Sequence, residues 1–373
     1  MAEKINIHCA IPNLKTVKIN RYDGCFENNG CYKALVQGGI VILSIKEAFE
    51  TYSSLLEQNA IALQESINNG EDGVFIYIKD GIKVSSPLQM VNVISGREAQ
   101  SSFSRNIVIM GKGSSARLIC CDDTVNANPF QTQSRISVYM SSESELEYYK
   151  MENINNASSI STDTEFRMED NAHLTTFWLS LNGGNIQNKL NVFFEGNHSE
   201  ASLNGLYLVD REQKVDNSVS VYHNFPYCTS HQLYKGILDD SAMANFLGHI
   251  YVKEYAKETI AMQSNNNILL TDKAQVNTKP FLEIYNDDVK CSHGATIGQL
   301  DENALYYMRQ RGITPRSARM LLMYAFCYDV LSKSSITELN QALQDMIKRR
   351  LNGELSSCEE CVFSKCQGIN NQD

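Results

Sequence analysis

GKGSSARLI (Gly111–Ile119), SSESELEYY (Ser141–Tyr149) and EDNAHLTTF (Glu169–Phe177) are three copies of one local pattern. Small or polar turn residues come first, then a stretch in which apolar and polar residues alternate. Alternation with period two is the signature of a strand with one buried face. The pattern returns at GNHSEASLNGL from Gly196, DDSAMANFLG from Asp239 and TDKAQVNTKPFLEI from Thr271. Taking Leu118, Leu146, Leu174, Leu203, Ala244 and Val276 as equivalent residues gives steps of 28, 28, 29, 41 and 32. Second strands lie between them, such as SRISVYM (Ser134–Met140), KLNVFFEG (Lys189–Gly196) and NSVSVYHN (Asn217–Asn224). Each period thus holds two strands and two turns, with no helical pattern between. A unit repeated every 20–50 residues points to stacked coils, since each unit buries its apolar face only against its neighbours. The abundant Asn and Ser suit tight corners, because those residues bond locally and tolerate left-handed backbone. The reading is a parallel β-helix of two-strand coils. The competing reading is a β-sandwich or jelly roll, whose strands also recur every 8–12 residues.

Outward from this region the pattern changes. GGIVILS (Gly38–Ser44) reads as a strand ending at a helix cap, and Ser44 with Glu47 forms a capping box. The helix that follows runs to about Gln58, and a second short one covers Ala60–Ile67. VFIYIKDGIKV (Val74–Val84) reads as a hairpin. Residues 301–352 are helical: Asp301 caps the first helix, Thr314-Pro315 opens the second, and Ser335 with Glu338 forms a second capping box. The expected division is an N-terminal α/β segment (1–95), the β-helix core (96–300), a C-terminal helical domain (301–353) and a flexible tail (354–373).

The 373 residues suffice to bury a large core without disulfides. A net charge of −10 disfavours binding to nucleic acid or an anionic membrane, where Lys- and Arg-rich faces are needed. No stretch approaches 18 apolar residues, and MAEKINIHCAIPNLK lacks the apolar run of a leader. Eleven cysteines without a leader indicate free thiols in a reducing, cytoplasmic compartment.

No phosphate-binding loop, dinucleotide fingerprint, nucleophile elbow or zinc-protease motif occurs; Gly111-Lys112-Gly113-Ser114 fails at both ends of the loop pattern. Asp122-Asp123, Asp239-Asp240 and Asp287-Asp288 supply carboxylates that a β-helix polysaccharide lyase or hydrolase would need, but Asp pairs also simply make turns. Cys291-Ser292-His293 is more specific. On a strand, residues two apart share a face, so the thiol and imidazole are neighbours. The imidazole either favours the thiolate or joins it in binding iron, and two ligands do not complete a tetrahedral site. The bland alternative is a strand end with a hydrogen-bonded histidine. Cys358, Cys361 and Cys366 bring three thiols within nine residues of the tail, either a metal site or reduced cysteines on a mobile segment.

DDVKCSHGATIGQLDENALYYMRQRGI (Asp287–Ile313) resembles the signature of the SufB/SufD family, scaffold subunits of the SUF iron–sulfur cluster assembly machinery. Tyr234–Val252, Asn266–Ile284 and Val74–Met90 resemble further blocks of the same family, so the likeness spans roughly residues 70–350. Gly294 after His293 and the intact Gly298-Gln299-Leu300-Asp301 place it on the SufD side of that family. The resemblance implies a right-handed parallel β-helix with helical ends and no enzymatic activity of its own. It implies a SufB-like paralogue paired through the C-terminal coils, and a SufC-like ABC ATPase bound through residues 301–351. The alternative reading within the family is a SufB-like or homodimeric cluster scaffold. Cys291 and His293 become candidate ligands for iron or a cluster held transiently at the paralogue interface. The short N-terminal region and the cysteine-bearing tail depart from the family pattern.

Overall fold

The computed structural model describes residues 14–352, apart from 27–37, 62, 70 and 97–100. Within them the alternating stretches are strands stacked in two parallel sheets, and the β-helix of two-strand coils is what the chain forms. One sheet has ten strands in the order β19 (Val289–Gly298), β17 (Thr259–Leu269), β15 (Thr229–Leu238), β13 (Glu200–Val209), β11 (His173–Asn182), β9 (Glu145–Asn153), β7 (Ser115–Thr124), β5 (Leu88–Ile94), β1 (Val17–Tyr22) and β2 (Cys25–Phe26). The other has nine, in the order β18 (Gln275–Ile284), β16 (Met243–Val252), β14 (Lys214–His223), β12 (Asn185–Phe194), β10 (Ser159–Met168), β8 (Gln131–Met140), β6 (Ser101–Met110), β4 (Val74–Ile78) and β3 (Ile40–Ser44). Odd and even strands alternate along the chain, so each coil contributes one strand to each sheet. Burial follows the pleat. In β10 (Ser159–Met168), Ile160, Thr162, Thr164, Phe166 and Met168 are buried and the residues between them are partly covered. The inward rows of both sheets meet in one core that holds Val138, Leu146, Phe166, Leu174, Val192 and Leu203, among others.

The coil spacing is more regular than the sequence suggested. Ala116 of β7 (Ser115–Thr124) stacks on Leu146 of β9 (Glu145–Asn153), then Leu174 of β11 (His173–Asn182) and Ala201 of β13 (Glu200–Val209). Ser230 of β15 (Thr229–Leu238), Ala261 of β17 (Thr259–Leu269) and Cys291 of β19 (Val289–Gly298) continue the column. Leu118 and Leu203 lie one inward position along from it. Ala244 of β16 (Met243–Val252) and Val276 of β18 (Gln275–Ile284) belong to the opposite sheet. The long step of 41 was therefore a jump of an extra half coil from one sheet to the other. Several corners carry non-glycine residues with positive φ, including Glu143, Asn171, Arg211 and Asp240, and backbone bonds to the next coil hold them there, as from Asn171 N to Asn197 O at 2.9 Å.

Val74–Val84 is not a hairpin. β4 (Val74–Ile78) pairs antiparallel with β3 (Ile40–Ser44) and parallel with β6 (Ser101–Met110). The Lys79–Gly81 turn instead carries the chain across to the other sheet, where Lys83 bridges Ser115 and β5 (Leu88–Ile94) follows. The physical cause is that a coil corner and a hairpin turn use the same residues. Asp122 and Asp123 also differ from the turn expected of them. Both lie inside β7, and Asp122 points into the β-helix.

The Ser44–Glu47 capping box is present and starts α1 (Ile45–Thr51); the helix breaks at Tyr52 and resumes as α2 (Ser53–Gln58), with α3 (Gln64–Asn68) after it. These elements cover the outer face of the nine-stranded sheet near its start, burying Ile45, Ala48 and Leu56 on Phe75, Ile107 and Ile109. The C-terminal helices α4 (Glu302–Gln310), α5 (Pro315–Leu331) and α6 (Thr337–Leu351) fold back across the outer face of the ten-stranded sheet. Ala318, Cys327, Leu339 and Leu343 pack there on Ile119, Tyr149, Phe177 and Leu206. The capping box expected at Ser335 does not form. Its hydroxyl donates to Glu147 Oε2 at 2.7 Å, so the residue ties the helices to the sheet. Lys235 adds a second tie, donating to Phe326 O at 3.0 Å and pairing with Asp329.

Candidate functional site

β18 and β19 end their sheets, each paired on one side only. Side chains that would be core in any earlier coil are therefore uncovered here. The inward residues of β19 are Cys291, His293, Ala295 and Ile297, set by register opposite Ala261, Gln263, Asn265 and Asn267 of β17. Cys291 is half-buried against Ile250, Val252 and Ala261, while His293 is exposed. The two side chains thus share the inner face, as two-residue spacing requires. Phe281, Tyr285 and Ile297 are exposed around the same coil, with Phe281 at 50%. Pro280 sits in β18, where a missing N–H costs no ladder bond on an unpaired edge.

Partial burial raises the Cys291 pKa, opposed only by a backbone hydrogen bond involving Ala261. His293 does not contribute to that balance. A raised pKa favours the thiol form of Cys291 in the chain alone. Among the described residues, no three His, Cys, Asp or Glu side chains come together in a way that would hold a metal. The candidate pair has no third ligand among the described residues. A cavity of about 360 Å³ lies beside it, lined by Glu258, Asp287, Asp288 and Lys290 at the corner that leads into β19. Asp239-Asp240 and Asp287-Asp288 are corner residues, as expected.

Six of the cysteines lie in the described residues, and no disulfide joins any two of them. Cys120, Cys121, Cys228 and Cys327 are buried packing residues. Burial pushes Cys120 and Cys327 up to about 12 and Cys228 to about 11, so none of these three is a nucleophile at neutral pH. Cys358, Cys361 and Cys366 lie outside the described residues.

A second group of polar residues, unmarked in the sequence, sits deep in the core. Lys150 pairs with Asp122, and both side chains are almost fully buried. Asp122 also accepts from Asn92 Nδ2 at 2.8 Å. Glu152 accepts from Ser180 Oγ at 2.7 Å and Asn188 Nδ2 at 3.0 Å. Burial opposes ionisation of Asp122, yet Lys150, Asn92 and Arg21 outweigh it and hold its pKa below the usual carboxylate value. For Glu152 burial wins, and its pKa is raised despite Lys150. The sequence marked Asp122 only as part of an acidic pair at an expected turn, and Lys150 and Glu152 only as polar residues in the β9 alternation.

Among the described residues, antiparallel strands close the solenoid at one end, and at the other it ends in two strands paired on one side only, with a thiol and an imidazole on the inner face of the last one. The chain belongs to the family described as SUF system FeS cluster assembly, SufBD core domain, whose model matches residues 92–326. The iron–sulfur cluster assembly protein SufD of Escherichia coli is 29% identical over 281 residues, 74% of this chain and 66% of that protein. An iron–sulfur cluster assembly SufBD family protein of Synechocystis is 39% identical over 145 residues, 39% of this chain and 32% of that protein. SufD of Bacillus subtilis is 23% identical over 331 residues, 84% of this chain and 74% of that protein. The chain thus spans about two thirds of the E. coli relative and one third of the Synechocystis one. No described helix is long and apolar enough to cross a membrane.

Proposed function

We propose that the chain is a SufD-like, non-enzymatic scaffold subunit that works in the cytoplasm beside a SufB-like paralogue and a SufC-like ABC ATPase. The observation that carries this is the uncovered last coil, which presents Cys291 and His293 on its inner face with no third ligand among the described residues. A paralogue that continued the two sheets would cover Phe281 and Ile297 and could bring the missing ligands. Iron or a nascent cluster is then cargo held between two chains, with His293 the principal ligand from this one. The C-terminal helices keep one face on the sheet and expose Tyr306, Tyr307, Leu321 and Tyr328 on the other, a surface suited to the ATPase. The absence of a phosphate-binding loop is consistent with nucleotide chemistry residing in that separate subunit.

Anaerobic co-purification with the neighbouring SUF subunits, followed by iron and sulfide analysis, tests the reading. The wild-type complex carries iron and the His293→Ala complex carries markedly less. An unchanged iron and sulfide content in His293→Ala would remove the site. The tail thiols form a second, independent site in this proposal. Replacing Cys358, Cys361 and Cys366 together by Ser without loss of bound metal would dismiss it.

A further inference from the structure

Gln232 of β15, Gln263 of β17 and His293 of β19 occupy one row of the parallel register, all facing into the β-helix. Neighbouring strands lie about 4.8 Å apart, so the three side chains stand in file from the interior to the open coil. Gln232 and Gln263 are 3% and 4% exposed. Among the described residues, neither the amide oxygen nor the amide nitrogen of either has a hydrogen-bond partner. One coil further in, the row is filled by Leu203, where the polar file stops. Across the lumen Gln263 reaches the backbone of Gly248 in β16, where an added Cβ would stand 1.7 Å from Nε2. The hydroxyl of Thr278, on the inward face of β18, is likewise buried without a partner.

A buried polar group with no partner is destabilising, because its desolvation is not repaid by a hydrogen bond. Leucine fills the same row in β7 and β13 and would avoid that cost. This chain instead keeps two glutamines there and a glycine opposite one of them. Polar atoms retained against such a cost mark a position that serves a ligand. An amide oxygen is a hard donor and imidazole a borderline one, and together they suit ferrous iron.

We propose that Gln263, backed by Gln232, gives an amide oxygen to the iron captured by His293, so that the ion sits on the lumen side of the last coil. This rests on His293 being an iron ligand. It accounts for a chain that handles iron without a cluster of three anionic or imidazole ligands, because the added donors are neutral amides. Coordination is the only change; no covalent bond is made or broken.

The full-length chain, with Cys358, Cys361 and Cys366 replaced by Ser in every sample so that the tail takes up no metal, is titrated with Co²⁺ under anaerobic conditions, cobalt standing in for ferrous iron because its visible bands report the donor set. Gln263→Met binds at least tenfold more weakly than wild type with altered bands, whereas Gln263→Glu, which keeps an oxygen, retains binding. Gln263→Met also melts at or above the wild-type temperature, an outcome a purely structural glutamine would not give together with lost binding. Wild-type binding in Gln263→Met overturns the proposal. If His293→Ala abolishes binding while Gln263→Met does not, the role of Gln263 alone falls. If His293→Ala binds as wild type, or the wild type shows no band at millimolar cobalt, the reading of the site falls and this inference with it. Should Gln263→Met fail to fold, Gln263→Asn carries the test: withdrawing the amide by one methylene must weaken binding, and unchanged binding refutes the assignment.

Discussion

His223 gives the most quantitative handle on this core. It ends β14 (Lys214–His223) on the inner face, fully buried, with its ring 4.7 Å from that of Phe194 and Nε2 2.9 Å from Ser230 Oγ. Burial pushes its pKa down from 6.5 to about 3. The folded chain therefore keeps the ring neutral well into acid, while the unfolded chain takes up a proton near 6.5. Between those values the unfolded state binds more protons, so the contribution is full above pH 6.5 and is lost as the pH falls toward 3. Each unit below 6.5 costs about 1.4 kcal/mol, or about 2 kcal/mol by pH 5. His223→Phe keeps a ring on Phe194 and removes the titration, but leaves Ser230 without its side-chain partner. The variant is expected to be less stable than wild type by about 1 kcal/mol at neutral pH. By pH 5 the difference has shifted by about 2 kcal/mol, leaving the variant about 1 kcal/mol more stable than wild type. Denaturant midpoints of both proteins across that range decide it, because all other titrating groups are shared and cancel in the difference. A wild-type-minus-variant difference that stays constant with pH would refute the argument.

Three further outcomes are expected. Lys150→Met strands Asp122 and Glu152 in the core and lowers stability by about 3–5 kcal/mol, read as a fall in thermal midpoint; Lys150→Met combined with Asp122→Asn recovers part of the loss. Lys235→Met removes the tie to Phe326 and Asp329, so limited proteolysis cuts near α5 sooner than in wild type while the β-helix core persists. In timed alkylation read by mass spectrometry, the exposed Cys25 and half-buried Cys291 are modified in the folded chain, and Cys120 and Cys327 only on unfolding; equal rates would contradict their burial.

The two-strand period was legible because the pleat imposes strict alternation, and strands of equal length make the corners recur. What the sequence could not resolve was which sheet a strand joins. Ala244 and Leu203 look equivalent because inward positions in both sheets obey the same alternation, and only backbone pairing separates them. The two capping boxes make a similar point. Ser44 and Ser335 precede identical spacings, yet Ser335 turns to Glu147, a residue 188 positions away that no local pattern reveals. The candidate ligands divide in the same manner. Cys291 and His293 could be placed on one face from their spacing alone. Gln232 and Gln263 could not be singled out, since an inward glutamine stands out only when its neighbours are known to offer it no partner.

The two ends of the β-helix are built on different terms. At the N-terminal end, β1 (Val17–Tyr22) pairs antiparallel with β2 (Cys25–Phe26), β3 closes the other sheet antiparallel to β4, and the N-terminal helices cover the outer face. Antiparallel closing strands and covering helices are ways of ending a sheet safely. At the other end, among the described residues, β18 and β19 have neither an added strand nor a cover, and the aromatic and aliphatic side chains around them are bare. An edge of this kind invites pairing with another chain. Its residues are also the ones that carry the thiol and the imidazole. If the edge existed only to avoid aggregation, charge would be the economical solution there, as it is on the outer faces of the earlier coils. On the proposed reading a single feature answers both demands. The uncovered rows are the inner wall of a lumen that a second chain completes, and the same act of pairing that buries Phe281 and Ile297 encloses the iron beside His293.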